Sequence, residues 1–300
     1  MVPLSTVDWL VAREAPAARY VALRDLLGKP AKDIELRKAK QALRQDLYLR
    51  DALPRLRQKL NPSASFEELA QRYDGMFWQA LFLTEMGCDI TLPELQRASH
   101  ALFARFQKAF VDIERGEQPS LDLTLFSAVL RALAQMGHAS DPRVVHGVLH
   151  LARSRIAAGR LGGGSAKDLL LFTALNEETR PAVVQRGIDF LVERAVQIEL
   201  PKEPSRAEGG SVGFPTGDEP DLLELLEALA RAGVARRPEL EPGLALAAAK
   251  ADHRGRWTLE RGLSRQMSLV PEREGELSRW LTIRGLRVMQ HFLGLRVGPR

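Results

Sequence analysis

Five times along this chain an apolar stretch of helical periodicity ends at a glycine or a short polar turn, and a second helical stretch follows, usually behind a proline. The clearest copy runs from Phe126 to Met136, turns through Gly137-His138-Ala139-Ser140-Asp141-Pro142, and continues from Arg143 to Arg155. The others are Ala17–Leu27 with Asp33–Leu47, Phe77–Met86 with Glu94–Phe110, Lys167–Asn176 with Ala182–Val196, and Leu222–Ala232 with Glu239–Lys250. Apolar residues recur at i, i+3, i+4 and i+7 in Phe126-Val129-Leu130-Leu133 and in Leu222-Leu225-Leu226-Leu229, the spacing of one helix face. Glycine suits the residue after a helix because that position favours a left-handed backbone. Proline suits a first turn, where its missing N–H has no partner to lose. Connections this short make the two helices antiparallel neighbours.

The copies start at irregular intervals, which argues against a strictly periodic solenoid. Helical stretches at Thr6–Arg13 and Arg279–Phe292 have no mate beside them in the sequence. If these two pair, the chain gains a sixth pair. The expectation is therefore all-α: one domain over residues 1–300, an α/α toroid of about six antiparallel pairs, with an open curved helical-repeat array as the alternative. The longest irregular stretch, Pro201–Pro220, reads as a loop inserted over one face, since the pairs resume after it.

Composition narrows the function classes. No apolar run approaches the roughly 20 residues of a membrane span, and the first residues lack the pattern of a secretory signal. A single cysteine, Cys88, permits no internal disulfide and fits a cytoplasmic setting as a buried, inert thiol. The net charge of +5 comes from arginine spread along the chain and interleaved with acids, so a nucleic-acid partner is not expected. His146 and His150 have the i, i+4 spacing of two metal ligands but no Glu between them, and no metal or cofactor is expected. Gly162-Gly163-Gly164-Ser165-Ala166-Lys167 has neither the spacing nor the preceding strand of a phosphate loop.

The turn Gly255-Arg256-Trp257 after a second helix resembles the repeat of squalene cyclases and protein prenyltransferase β subunits. The whole chain is similar to bacterial prenyltransferase/squalene-oxidase repeat proteins of uncharacterised function. The segments that carry this are Trp9-Leu10 with Ala17–Leu27, Trp78–Leu83 with Glu85-Met86-Gly87, Gly213-Phe214-Pro215 with Asp221–Leu226, and Ser278–Val288. The resemblance implies a terpenoid-cyclase-like toroid. It implies activity far less, because one fold hosts many functions.

The motifs of those enzymes are degenerate here. The nearest segment to Asp-x-Asp-Asp is Gly217-Asp218-Glu219-Pro220-Asp221, which leaves Asp221 as a weak candidate for a catalytic acid. A capping reading competes: Asp218 or Glu219 at the cap, Pro220 next, and Asp221 in the first turn. Asp221 and Glu224 sit one turn apart, without the clustered carboxylates of a Mg²⁺ site. What remains is a set of candidate ligand-binding side chains on the inner helices: Tyr20, Arg24, Trp78, Asp221, Glu224, Trp280 and Arg284. Aromatic walls with a few arginines suit an apolar, isoprenoid- or lipid-like molecule bearing an anionic head. The alternatives are that the aromatics fill the ring while the arginines pair with acids such as Asp25, and that the chain is a scaffold for a protein partner.

Overall fold

The helix pairs carry over to three dimensions in a computed structural model, which describes residues 2–60, 73–159, 165–202, 210–217 and 220–297. Its described residues hold fourteen α-helices and almost no strand. In chain order these are α1 (Leu4–Leu10), α2 (Pro16–Val21), α3 (Ile34–Gln41), α4 (Leu47–Lys59), α5 (Met76–Glu85), α6 (Pro93–Arg105) and α7 (Gln107–Glu114). There follow α8 (Leu123–Leu133), α9 (Pro142–Ala158), α10 (Ser165–Phe172), α11 (Ala182–Arg194), α12 (Leu222–Arg231), α13 (Glu241–Ala249) and α14 (Arg279–Leu293). A two-stranded antiparallel ribbon joins β1 (Trp257–Thr258) to β2 (Leu277–Ser278). No described helix is long and apolar enough to cross a membrane.

Two expected helices are each broken in two. The stretch from Asp33 to Leu47 stops before Asp46, whose extended backbone and side chain start a new helix: its Oδ1 accepts the N–H of Tyr48 and Leu49. The stretch from Glu94 to Phe110 breaks at Phe106, where ψ swings to 11°. At three places, after α2, α8 and α11, a helix ends in a wider π turn.

The chain divides into two compact units, Met1–Pro54 with Leu200–Arg300, and Arg55–Glu199. In the second unit, α5 packs on α8 and α8 on α10, while α7, α9 and α11 form a second row behind them. Helix α5 is apolar all round and buried from Met76 to Thr84, as a helix walled in on every side must be. Cys88 lies just beyond it, 1% exposed.

In the first unit, α12 packs on α14 and α14 on α2, with α3 and α13 behind. The expected first and last helices meet here. The Val2 N–H donates to the Arg296 carbonyl at 3.2 Å, and the Arg279 guanidinium lies 4.8 Å from the centre of the Trp9 ring and donates to the Trp9 carbonyl at 3.3 Å. Trp257, the tryptophan of the Gly-x-Trp turn, is buried between α13 and α14. Its indole N–H donates to the Ala247 carbonyl at 3.0 Å, and Gly285 leaves room for the ring: a Cβ there would stand 2.8 Å from it.

Candidate functional site

Helix α12 reads Leu-Leu-Glu-Leu-Leu-Glu-Ala-Leu-Ala-Arg, and its charges fall at i, i+3 and i+7: Glu224, Glu227 and Arg231. That spacing puts them on one stripe, with Asp221 one turn earlier. Helix α14 answers with Trp280, Arg284 and Arg287 at i, i+4 and i+7. The stripes face each other. Glu227 accepts from Arg284 Nε at 2.9 Å and lies 2.8 Å from Arg287 Nη1 and 2.9 Å from Arg231 Nη2. Asp25, from the π turn after α2, lies 3.4 Å from Arg287 and holds Arg24 Nε at 2.6 Å. Arg24 in turn covers the Tyr20 ring, 5.2 Å from its centre.

Asp25 and Glu227 thus serve four guanidinium groups. Burial opposes the charge on Glu227, but the three arginines outweigh it and hold its carboxyl far below the usual range. Burial likewise opposes Asp25, and the hydrogen bond from Arg24 with the charge of Arg287 carries it downward. Arg287 moves the other way. Burial pushes it below the ordinary arginine value, and Arg231 and Arg24 add to the push against the pull of Glu227 and Asp25. Arg24 and Arg231 are the members that face solvent, their side chains 42% and 37% exposed.

The other end of the stripe is apolar and capped. Phe214 stacks on Trp280 with ring centres 5.1 Å apart and planes 17° apart, and Arg284 lies 6.0 Å from the Phe214 ring centre. Asp221 is itself the N-cap of α12, where the sequence reading puts it inside the first turn. Its Oδ1 accepts the Glu224 N–H and its Oδ2 accepts the Gly213 N–H, both at 2.8 Å. Asp218 and Glu219, the alternative caps, lie outside the described residues. Burial pushes Asp221 upward, with Glu224 adding and Arg284 opposing. Glu224 Oε1 accepts the Thr216 hydroxyl at 2.8 Å.

These bonds pull in the loop that the sequence reading lays over a face. Val212, Phe214 and Thr216 are buried, and the Val212 carbonyl accepts the N–H of both Glu260 and Arg261 at 3.1 Å. Gly213 is needed at this approach, since a Cβ would stand 2.4 Å from the Arg261 carbonyl oxygen.

Six of the seven candidate residues thus join one connected cluster: Tyr20, Arg24, Asp221, Glu224, Trp280 and Arg284. Trp78 belongs to the other unit, where it packs against Tyr73, Phe77 and Phe82. Sequence reasoning missed Glu227, Arg231 and Arg287 as members. The available signal was charge at helical spacing inside otherwise apolar helices. His146 and His150 line a groove of about 540 Å³ with Glu114, Glu117 and Arg153, and no group of three metal-ligating side chains occurs among the described residues. Comparison with family models, curated proteins and solved structures gave no match.

Proposed function

We propose that the helix pairs close into an α/α ring and that the chain binds an apolar, isoprenoid- or lipid-like molecule by an anionic head. The observation that carries the reading is where the arginines end: Arg24 and Arg231 reach solvent from a buried network of Arg284, Arg287, Asp25 and Glu227, beside the Tyr20 and Phe214–Trp280 aromatics. Arg287 is pushed down by burial with its neighbours Arg231 and Arg24, and an anion beside those two would relieve that. Ring closure is supported by the adjacency of Val2 and Arg296 and by the row of first helices within each unit. A cytoplasmic setting suits the buried free thiol of Cys88.

The reading is binding, with no proton donation by Asp221. An acid that protonates a substrate must present its O–H to it, whereas both Asp221 oxygens face backbone N–H groups. The test is native mass spectrometry of protein purified from its own host. Wild type should carry a lipid-sized adduct, and Arg24→Ala/Arg231→Ala, folded by circular dichroism, should not. No adduct on wild type, or an adduct kept by the double variant, overturns the reading. A co-purified protein in its place would favour the scaffold.

A further inference from the structure

A concavity lies in the unit of the charged stripe, between α2 and α3. It measures about 850 Å³. Arg13, Lys32 and Lys38 stand exposed around it, and Arg19 lies at its wall. Two carboxylates also line it, and both are engaged. Asp33 caps α3 through the N–H of Glu35 and Leu36, and Glu35 holds Arg19 at 2.5 Å with Lys29 at 3.8 Å. Among the described residues, no ion pair reaches Arg13, Lys32 or Lys38. The surrounding chain is basic too: residues 29–44 carry six Lys and Arg against two acids. The groove has an apolar component as well. Ile34, 63% exposed at the first turn of α3, sits at its edge, with Pro16, Ala39 and Ala42 beneath.

We propose that this groove docks a short acidic segment of a partner protein, its carboxylates meeting Arg13, Lys32 and Lys38 and one apolar side chain seating against Ile34. Charge complementarity sets the sign of the partner, and it gives specificity and fast encounter more than raw affinity. The apolar edge selects a peptide over a nucleic-acid strand. A strand needs a continuous cationic track and aromatic faces for its bases, whereas two carboxylates interrupt this lining and no aromatic residue contributes to it. An exposed isoleucine ringed by cations is a seat for the alternating acidic and apolar side chains of such a peptide.

The probe is a fluorescein-labelled eight-residue peptide alternating glutamate and leucine, followed by anisotropy on the full chain in low salt. Wild type should bind, and 0.5 M NaCl should weaken it, as surface charge pairing requires. Lys32→Glu/Lys38→Glu should lower affinity about tenfold or more, and Ile34→Ser several-fold. All three positions are exposed, so a thermal melt should stay within a few degrees of wild type. Arg97→Glu, on an exposed face of the other unit, should bind as wild type does. Any of three results with the peptide overturns the proposal. The double variant binds unchanged; Arg97→Glu weakens binding as much as the double variant does; or Ile34→Ser has no effect, leaving diffuse charge attraction. Binding of a labelled single-stranded oligonucleotide in place of the peptide, lost in the double variant, also overturns it and points to nucleic acid.

Discussion

Each unit ties its helices with buried charge, but in different proportions. In the Arg55–Glu199 unit, Asp168 of α10 holds Arg155 of α9 at 2.5 Å on one oxygen and takes the Ser127 hydroxyl of α8 on the other. One carboxylate, one guanidinium and one neutral donor satisfy each other. In the other unit, two carboxylates are shared among four guanidinium groups, and two of those reach solvent. A matched set needs nothing from outside. The second set is open at one side, where Arg24 and Arg231 face water.

The largest expected effect tests that contrast directly. Asp168→Ala strands the Arg155 charge and should cost about 3–5 kcal/mol in urea unfolding, with no recovery on adding phosphate. Glu227→Gln should cost a similar amount, but 50 mM inorganic phosphate should restore several degrees of melting temperature. Equal response of the two variants to phosphate would erase the distinction between the units.

A second prediction concerns pH. Glu272 accepts the Arg279 N–H at 2.8 Å at the start of α14, and burial, outweighing that bond and the Arg279 charge, pushes its carboxyl up to about 7. A folded value above the unfolded one means the native state holds the proton more tightly. The contribution is therefore full below about 4.5 and is lost as pH rises through about 7, on the order of 1–3 kcal/mol in all. Glu272→Gln should remove that slope from urea unfolding measured between pH 5 and 8; a slope that persists would assign it to other groups.

Next in size are two glycines. A Cβ on Gly285 meets the flat Trp257 ring at 2.8 Å, while one on Gly147 meets the methyl ends of Leu130 at 2.9 Å. Methyls can turn aside, and a buried indole held by its N–H on the Ala247 carbonyl cannot. Gly285→Ala should therefore cost about 2 kcal/mol and Gly147→Ala under about 1, read from thermal melts. The smallest effect belongs to Arg24→Ala/Arg231→Ala. Half-exposed pairs contribute little, so the double change should move stability by less than about 1 kcal/mol. A large loss would return these arginines to the fold.

The helix pairs were legible because each end carries its own local mark, such as Gly87 and Pro93 around the turn between α5 and α6. The breaks at Asp46 and Phe106 were not, because apolar periodicity runs across them and the outcome rests on the backbone of one residue, capped at Asp46 by its own side chain and at Phe106 by none. At the site, residue types were legible and partnerships were not. Arg284 meets a carboxylate 57 positions away, and nothing local to either residue announces the other. Asp221 was visible as an acid in the first turn of a helix, but its place as the cap and its second bond, to Gly213, depend on a loop folded inward.

The first unit is built from both ends of the chain, with residues 55–199 interposed. On a ribosome, Tyr20, Arg24 and Asp25 emerge early and wait while the whole intervening unit is made. Their partners Glu227 and Arg287 follow only after that unit, on α12 and α14. The arginine cluster is therefore completed only after the interposed unit is made, and a chain without Arg279–Leu293 lacks Arg284 and Arg287 and cannot assemble it.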